Sequence, residues 1–192
     1  MTRTARREDL ADAATDYVHE HGLLGLSLRP LAAALDTSDR MLLYHFRNKD
    51  DLVATVLRVS NDRAVAGLRA LPPSSDVRCG VLALWRAVTA PQQDRCQRLY
   101  VEAAALGLLG REPYASVVRE ANAVWVQGLA AHLVASGLPQ PLAARAVVLV
   151  DAAFMGFQLD MPLDTDPGEV EQAVSDLADA VVGIAARGQG SA

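Results

Sequence analysis

Arg29 and Arg40 flank the polar break Asp36-Thr37-Ser38, and this pair opens the most specific chemistry in the chain. A guanidinium is a planar fork of donors that matches the O6 and N7 acceptors of guanine, and two arginines framing a turn are placed to meet DNA. Lys49 follows at the first position of a helix that Asn48 is suited to cap. Unpaired backbone N–H groups there favour a phosphate, and Asp50 and Asp51 in the same turn suit the helix dipole. Other chemistry has less material. His19, His21, His45 and His132 do not combine with carboxylates or cysteines at ligand spacing, so neither a metal nor another cofactor is expected. The sequence has no nucleophile elbow, P-loop or dinucleotide fingerprint, and no enzyme is expected. Cys79 and Cys96 fall on neighbouring predicted helices; a redox-switched disulfide is one reading and two inert buried thiols the other.

The elements that must position these groups are legible from periodicity. Leu28, Leu31, Ala32 and Leu35 recur at i, i+3, i+4 and i+7, one face of a short helix, with Ser27 at its N-cap position and Pro30 in its first turn. After Asp36-Thr37-Ser38, with Thr37 or Ser38 as cap, a second helix turns Leu42 and Phe46 inward. Two such helices joined by a tight turn match a helix-turn-helix, whose second helix enters the major groove. Leu10, Ala13, Ala14, Tyr17 and Val18 stripe a preceding helix that Gly22 ends, and it supplies the third wall of a small core. Met41 and Leu43 cannot both enter that core, so at least one faces the groove or a neighbouring helix. Arg3, Arg6 and Arg7 form a basic arm ahead of the first helix, either reaching DNA or lying solvated.

The helical N-terminus, then LSLRPLAAAL, then LLYHFRNKDDL running into a long helix, resembles the tetracycline-repressor (TetR/AcrR) family of one-component transcriptional regulators. The likeness covers the first quarter of the chain. By position it implies that Arg29 reads a base, that Asp39, Arg40 and Met41 open the recognition helix toward base edges, and that Tyr44 faces the groove; Ser38, just before that helix, is counted with them as DNA-binding. His45 and Lys49 match phosphate-holding positions. Two residues depart from the family pattern. Asp36 stands where glycine is usual in the turn, and Leu43 stands where a tyrosine often holds a phosphate, a contact that Leu43 cannot make.

Charge adds little. The chain carries a net charge of −5, which argues against indiscriminate polyanion binding, and residues 1–50 hold seven basic against eight acidic side chains. Seventeen arginines, beside the single Lys49, are the composition of a GC-rich bacterial genome. Beyond the first quarter, a helix from Lys49 to about Leu71 precedes Pro72-Pro73-Ser74-Ser75, and further helices are predicted near 76–90, 92–110, 113–136, 140–160 and 167–187. The expectation is an all-α chain of about nine helices. Residues 1–48 form the DNA-binding domain, and residues 49–192 form a ligand-binding and dimerisation domain entered through the fourth helix, 49–71. Ala121–Ala144 is uncharged, but Gly137 to Pro141 break it into helix, turn and helix, so no membrane segment is expected. MTRTARREDL has no signal-peptide core, which suits a cytoplasmic protein.

Helices 142–161 and 170–187 carry more apolar and small residues (Ala146, Ala152, Ala153, Gly156; Ala173, Ala178, Ala180, Gly183) than one small domain needs. They are expected to pair with their twofold mates in a homodimer. Trp85, Tyr100, Trp125, Phe154 and Phe157, with Gln158, are the expected lining of an effector pocket, and Glu102, Asn122, Gln127 and His132 are further polar candidates. The sequence therefore predicts a dimeric repressor that binds a palindromic operator on double-stranded DNA and is released by a small, largely apolar molecule. The other readings are a cysteine-based redox sensor on the same scaffold and a helical binding protein that does not engage DNA.

Overall fold

The computed structural model describes residues 3–163 and 166–189, and all regular structure within them is helical. Nine α-helices follow in order: α1 (Arg3–His21), α2 (Leu28–Ala34), α3 (Asp39–His45), α4 (Lys49–Arg69), α5 (Val77–Val88), α6 (Pro91–Leu108), α7 (Tyr114–Ala135), α8 (Ala143–Asp160) and α9 (Pro167–Gln189). Single turns of 3-10 helix at Gln140–Leu142 and Met161–Leu163 bracket α8. The all-α expectation holds, and the punctuation read from sequence sits where it was placed. Gly22 ends α1 at φ 80°, a left-handed conformation that costs glycine nothing sterically. Asp76 caps α5 by accepting the Cys79 N–H at 2.7 Å.

Two compact units divide the chain: Met1–Ala64 with Pro91–Ala123, and Val65–Ala90 with Val124–Ala192. Helices α4 and α7 each run from one unit into the other. The first unit is built on Leu10, Ala14, Val18, Leu31, Leu42, Phe46, Leu52, Val53, Val56, Leu99 and Ala103, all buried. A helix-turn-helix pair alone buries too little surface to fold, and this unit accordingly extends past residue 48. α1, the start of α4 and α6 supply the missing walls. The stripe of α1 is not the predicted one: Ala11 and Thr15 replace Ala13, which is exposed. Thr15 is tolerated in the core because its hydroxyl donates to the Ala11 carbonyl at 2.8 Å. Arg63 ties α4 to α1, with nitrogens 2.6 Å from Asp16 and 2.8 Å from Asp12.

The second unit packs α5 and α8 against α9, with the C-terminal part of α7, around Val81, Leu84, Leu129, Leu133, Val147, Val150, Val174 and Val181. Arg78 holds α5 to α9 through Asp179 and the Ser175 hydroxyl, both at 2.7 Å. The uncharged stretch ending near Ala144 is broken as expected: α7 stops at Ala135, and Gly137 takes φ 99°. The segment Gln140–Leu163 is long and apolar enough to cross a membrane, with a mean hydropathy of 1.6. It is amphipathic in its packing. Ala143, Ala146, Val147, Val150 and Phe154 are buried, while Val148, Leu149, Ala152 and Leu159 face outward.

Candidate nucleic-acid interface and effector region

The turn between α2 and α3 is closed by a pair of backbone hydrogen bonds. Thr37 N–H reaches the Ala32 carbonyl at 2.9 Å and Asp36 N–H the Ala33 carbonyl at 3.3 Å, the pattern of a helix end with a left-handed residue after the cap. That residue is Asp36, at φ 48°, the position where the resemblance led one to expect glycine. Ser38 then caps α3, its Oγ accepting the Met41 N–H at 3.2 Å. Ser27 occupies the corresponding position before α2 but makes no side-chain cap bond. At the start of α4 the Asn48 side chain accepts the Asp51 N–H at 2.8 Å, and the Asp51 carboxylate reaches back past the cap to accept the Arg47 N–H at 3.1 Å, which together fix where α4 begins.

These caps orient α3. Leu42 and Phe46 point into the core at 0% and 1% exposure, whereas Met41, Leu43 and Tyr44 are exposed at 43%, 44% and 56%. Neither Met41 nor Leu43 enters the core, and Arg29, Ser38, Asp39 and Arg40 are exposed around the same turn. His45 is different: its ring is buried and its Nδ1 has no hydrogen-bond partner. Lys49 is exposed at the start of α4, with its Nζ donating to the Leu26 carbonyl.

The arginines of the expected N-terminal arm belong to α1 instead, which begins at Arg3. Arg3 lies over the Tyr44 ring, 4.8 Å from its centroid, and donates to the Tyr44 carbonyl at 3.4 Å. Arg7 donates to the His45 carbonyl at 3.2 Å and to Thr55 Oγ1 at 3.1 Å, and stacks 5.0 Å from the centre of Phe46. Free carbonyls at the C-terminal end of a helix attract cations, so α1 grips the recognition helix by its tail. Glu102, considered above as an effector contact, serves the same unit. Its Oε2 accepts the N–H groups of Leu23 and Leu24 at 2.7 and 2.8 Å, fastening α6 to the turn between α1 and α2. Residues so distant in sequence leave no local periodicity by which to find such contacts.

The residues expected to line an effector pocket do not all come together. Trp85 on α5 meets Phe154 and Phe157 on α8, with centroids 5.1 and 5.8 Å apart. Gln158 donates to the Val88 carbonyl at 3.1 Å. Trp125 on α7 donates its indole N–H to Asp151 Oδ1 at 3.1 Å, a partner that the sequence reading did not pick out. Tyr100 is carried by α6 in the first unit, whereas the other five belong to the second. Asn122 and Gln127 are exposed, and His132 is buried in the second unit with its Nε2 unpartnered.

Asp151 and Cys96 are both shifted by burial. Burial pushes the Asp151 carboxyl above its usual range, opposed by the Trp125 hydrogen bond. Burial also pushes the Cys96 thiol up, opposed by a hydrogen bond with Ser60 and by Arg63 and Arg95, which leaves little thiolate at neutral pH. Cys79 is exposed. Among the described residues no cluster of three His, Cys, Asp or Glu side chains is arranged to hold a metal.

A family model for bacterial regulatory proteins of the tetR family matches residues 10–56, from Leu10 in α1 to Val56 in α4. No curated protein sequence matches the chain. A transcriptional regulator from Rhodococcus sp. Rha1 superposes with a TM-score of 0.75 at 25% identity, over 92% of this chain and 96% of that one. The multidrug binding protein EbrR in complex with proflavin gives 0.64 at 27% identity, over 90% and 99% of the two chains. A TetR transcription regulator from Haloarcula marismortui shares the fold, with a TM-score of 0.66 at 19% identity over 92% and 98%. The buried frame of the helix-turn-helix, the exposed outer side of α3 and these likenesses agree: residues 10–56 match the tetR family of bacterial regulatory proteins, and the whole chain is similar in fold to solved transcriptional regulators.

Proposed function

We propose that the protein is a ligand-responsive repressor that binds a palindromic operator as a homodimer and is released by a small aromatic molecule. The observation that carries this reading is the row Arg40, Met41, Leu43 and Tyr44, exposed on a helix whose opposite side is locked into the core by Leu42 and Phe46. Side chains held outward on a rigid helix read base edges better than the same side chains on a loop. In this reading Arg29 addresses guanine, Asp39, Arg40 and Met41 the bases at the start of the helix, and Tyr44 the groove. Lys49 serves a phosphate by leaving the Leu26 carbonyl, Ser38 lies exposed just before α3, and the buried His45 ring supports α3 from behind rather than touching DNA. Residues 1–48 then act as the reading head, and residues 49–192 as the effector and dimerisation region, with α4 continuous between them.

Two half-sites on one face of a duplex lie about 34–36 Å apart, and only a dimer engages both. Helix α8 offers a surface for that dimer: Val148, Leu149, Ala152 and Leu159 form an outward apolar row, and a Cβ placed on Gly156 would meet no atom within 4 Å. The effector part of the reading draws on EbrR, similar over most of this chain, which has been solved with proflavin, with ethidium and with imidazole. Its site here is the Trp85, Phe154, Phe157 cluster with Trp125 and Gln158. An effector that prefers one conformation over another shifts the population toward it, and α4 and α7, shared by both units, are the elements that carry the shift. Access to DNA places the protein in the cytoplasm.

The test is selection of bound duplexes from genomic fragments at about 150 mM salt, repeated with Arg40→Ala, Tyr44→Ala. Enrichment of a palindrome that the variant loses supports the reading. Equal enrichment by the variant removes α3 as the reading element, and no enrichment removes the DNA assignment.

A further inference from the structure

Asp151 is the one feature of the effector region that the reading above leaves unexplained. It sits on α8 one turn before Phe154 and two turns before Gln158, so the three share a flank of that helix. Phe154 contacts Trp85, Gln158 bonds the end of α5, and Asp151 bonds Trp125 on α7. The carboxylate thus bonds one indole, and the same flank of α8 carries Phe154, which packs on the other indole, so α5, α7 and α8 are joined here within the second unit. Among the described residues its single partner is the Trp125 indole, which fills one of about four acceptor positions. Among the described residues no lysine, arginine or histidine forms an ion pair with it, although Arg78 in the same unit is matched to an acid. Desolvation dominates its surroundings, and no neighbouring charge offsets that.

A carboxylate drawn out of water without a counter-charge is unfavourable, and a hydrogen-bonded indole compensates only part of that cost. Such a group gains most from a ligand that brings the missing positive charge. The rings around it add a second requirement. Indole faces attract delocalised cations, and Trp85, Phe154 and Phe157 pack ring against ring between α5 and α8. A metal ion brings the charge but finds no further ligands among the described residues, an anion is repelled, and an aliphatic ammonium leaves the rings unused.

Resting on the effector reading above, we infer that Asp151 and Trp125 form a charge-selecting subsite, so that the effector class is a planar aromatic cation rather than a neutral apolar compound. Asp151 supplies the counter-charge, Trp125 orients it, and the Trp85, Phe154, Phe157 cluster takes the ring system.

Both tryptophans of the chain, Trp85 and Trp125, lie at this place, so intrinsic fluorescence reports on it directly. The full-length protein is titrated with proflavin, a cation, and with acridine, the same ring system uncharged in mildly alkaline buffer. Binding is read by tryptophan quenching and by calorimetry. The unmodified protein binds proflavin on the order of tenfold more tightly than acridine, the size of one charge-assisted contact. Asp151→Asn keeps an acceptor for Trp125 but removes the charge, and it brings the two affinities together by weakening proflavin alone. Equal affinity of the unmodified protein for the two dyes overturns the inference, as does an Asp151→Asn variant that weakens both alike. The comparison of dyes on the unmodified protein stands even if the variant does not fold. Binding of acridine without proflavin removes the cation and leaves the effector region in place. Binding of neither removes both.

Discussion

At Asp36 a single side chain stands at odds with its backbone. A left-handed φ of 48° costs an L-residue about 1 kcal/mol or somewhat more, and aspartate less than most. The turn holds it there because both backbone bonds of the helix end depend on it. Asp36→Gly is therefore expected to raise stability by about 0.5–1 kcal/mol, less what glycine gives back in unfolded-state freedom. Urea denaturation measures this, and a fall in the midpoint would mean that the aspartate makes a compensating contact. This position was legible in the sequence through the resemblance to the TetR/AcrR family, whose turn usually carries glycine where this chain has Asp36. Glu102 and Asp151 were not legible. Glu102 meets Leu23 across a separation of 79 residues, and Asp151 looks like any acid on an apolar helix until Trp125 is found beside it.

Helices read well from this chain because stripes and breakers coincide: Gly22, Pro72-Pro73 and Gly137 each mark a real end. What periodicity missed lies between elements. The Glu102 clamp joins α6 to the start of the reading head with two charge-assisted bonds, so Glu102→Ala is expected to cost about 1–3 kcal/mol. Hydrogen exchange at Leu23 and Leu24 should rise before exchange in α3 does; unchanged protection there would show that water replaces the carboxylate without loss. Two histidines between helices predict a response to acid. Burial, then Arg63, hold His19 below its ordinary value, with Asp16 opposing and Arg95 adding to the effect. Its ring meets Ser60 at 2.8 Å, linking α1 to α4. Burial likewise lowers His132, opposed by a hydrogen bond to the Gly80 backbone. The unfolded chain takes up these protons first, near pH 6.5. Stability is therefore full above about that pH and is lost as pH falls toward the lowered folded values. Asp151, raised by burial, acts in the opposite sense as it becomes protonated in the folded state. Denaturation midpoints that decline between about pH 7.5 and about pH 5.5, and decline less in His132→Gln, are the expected outcome. A flat profile in the parent protein would contradict it.

Across the whole molecule, apolar surface is divided between two uses. The small residues picked out in α8 and α9 divide: Ala146 and Ala178 are fully buried in their own unit, Ala152 and Ala180 face outward, and Ala153, Gly156, Ala173 and Gly183 are half-buried. Val148, at 69% exposure, centres that outward row together with Leu149, Ala152 and Leu159. An uncharged row of this length on a helix of such high hydropathy is what a buried interface between copies requires. Val148→Glu puts one carboxylate on each side of a twofold contact while touching no core residue. It should leave the helical content and melting of the isolated chain close to those of a concentration-diluted parent, and shift sedimentation from dimer to monomer. Operator affinity should then fall by on the order of a hundredfold or more, because the second half-site no longer benefits from the first. The two readouts must move together. A variant that stays dimeric would place the interface elsewhere, and one that becomes monomeric yet keeps its operator affinity would show that a single reading head suffices.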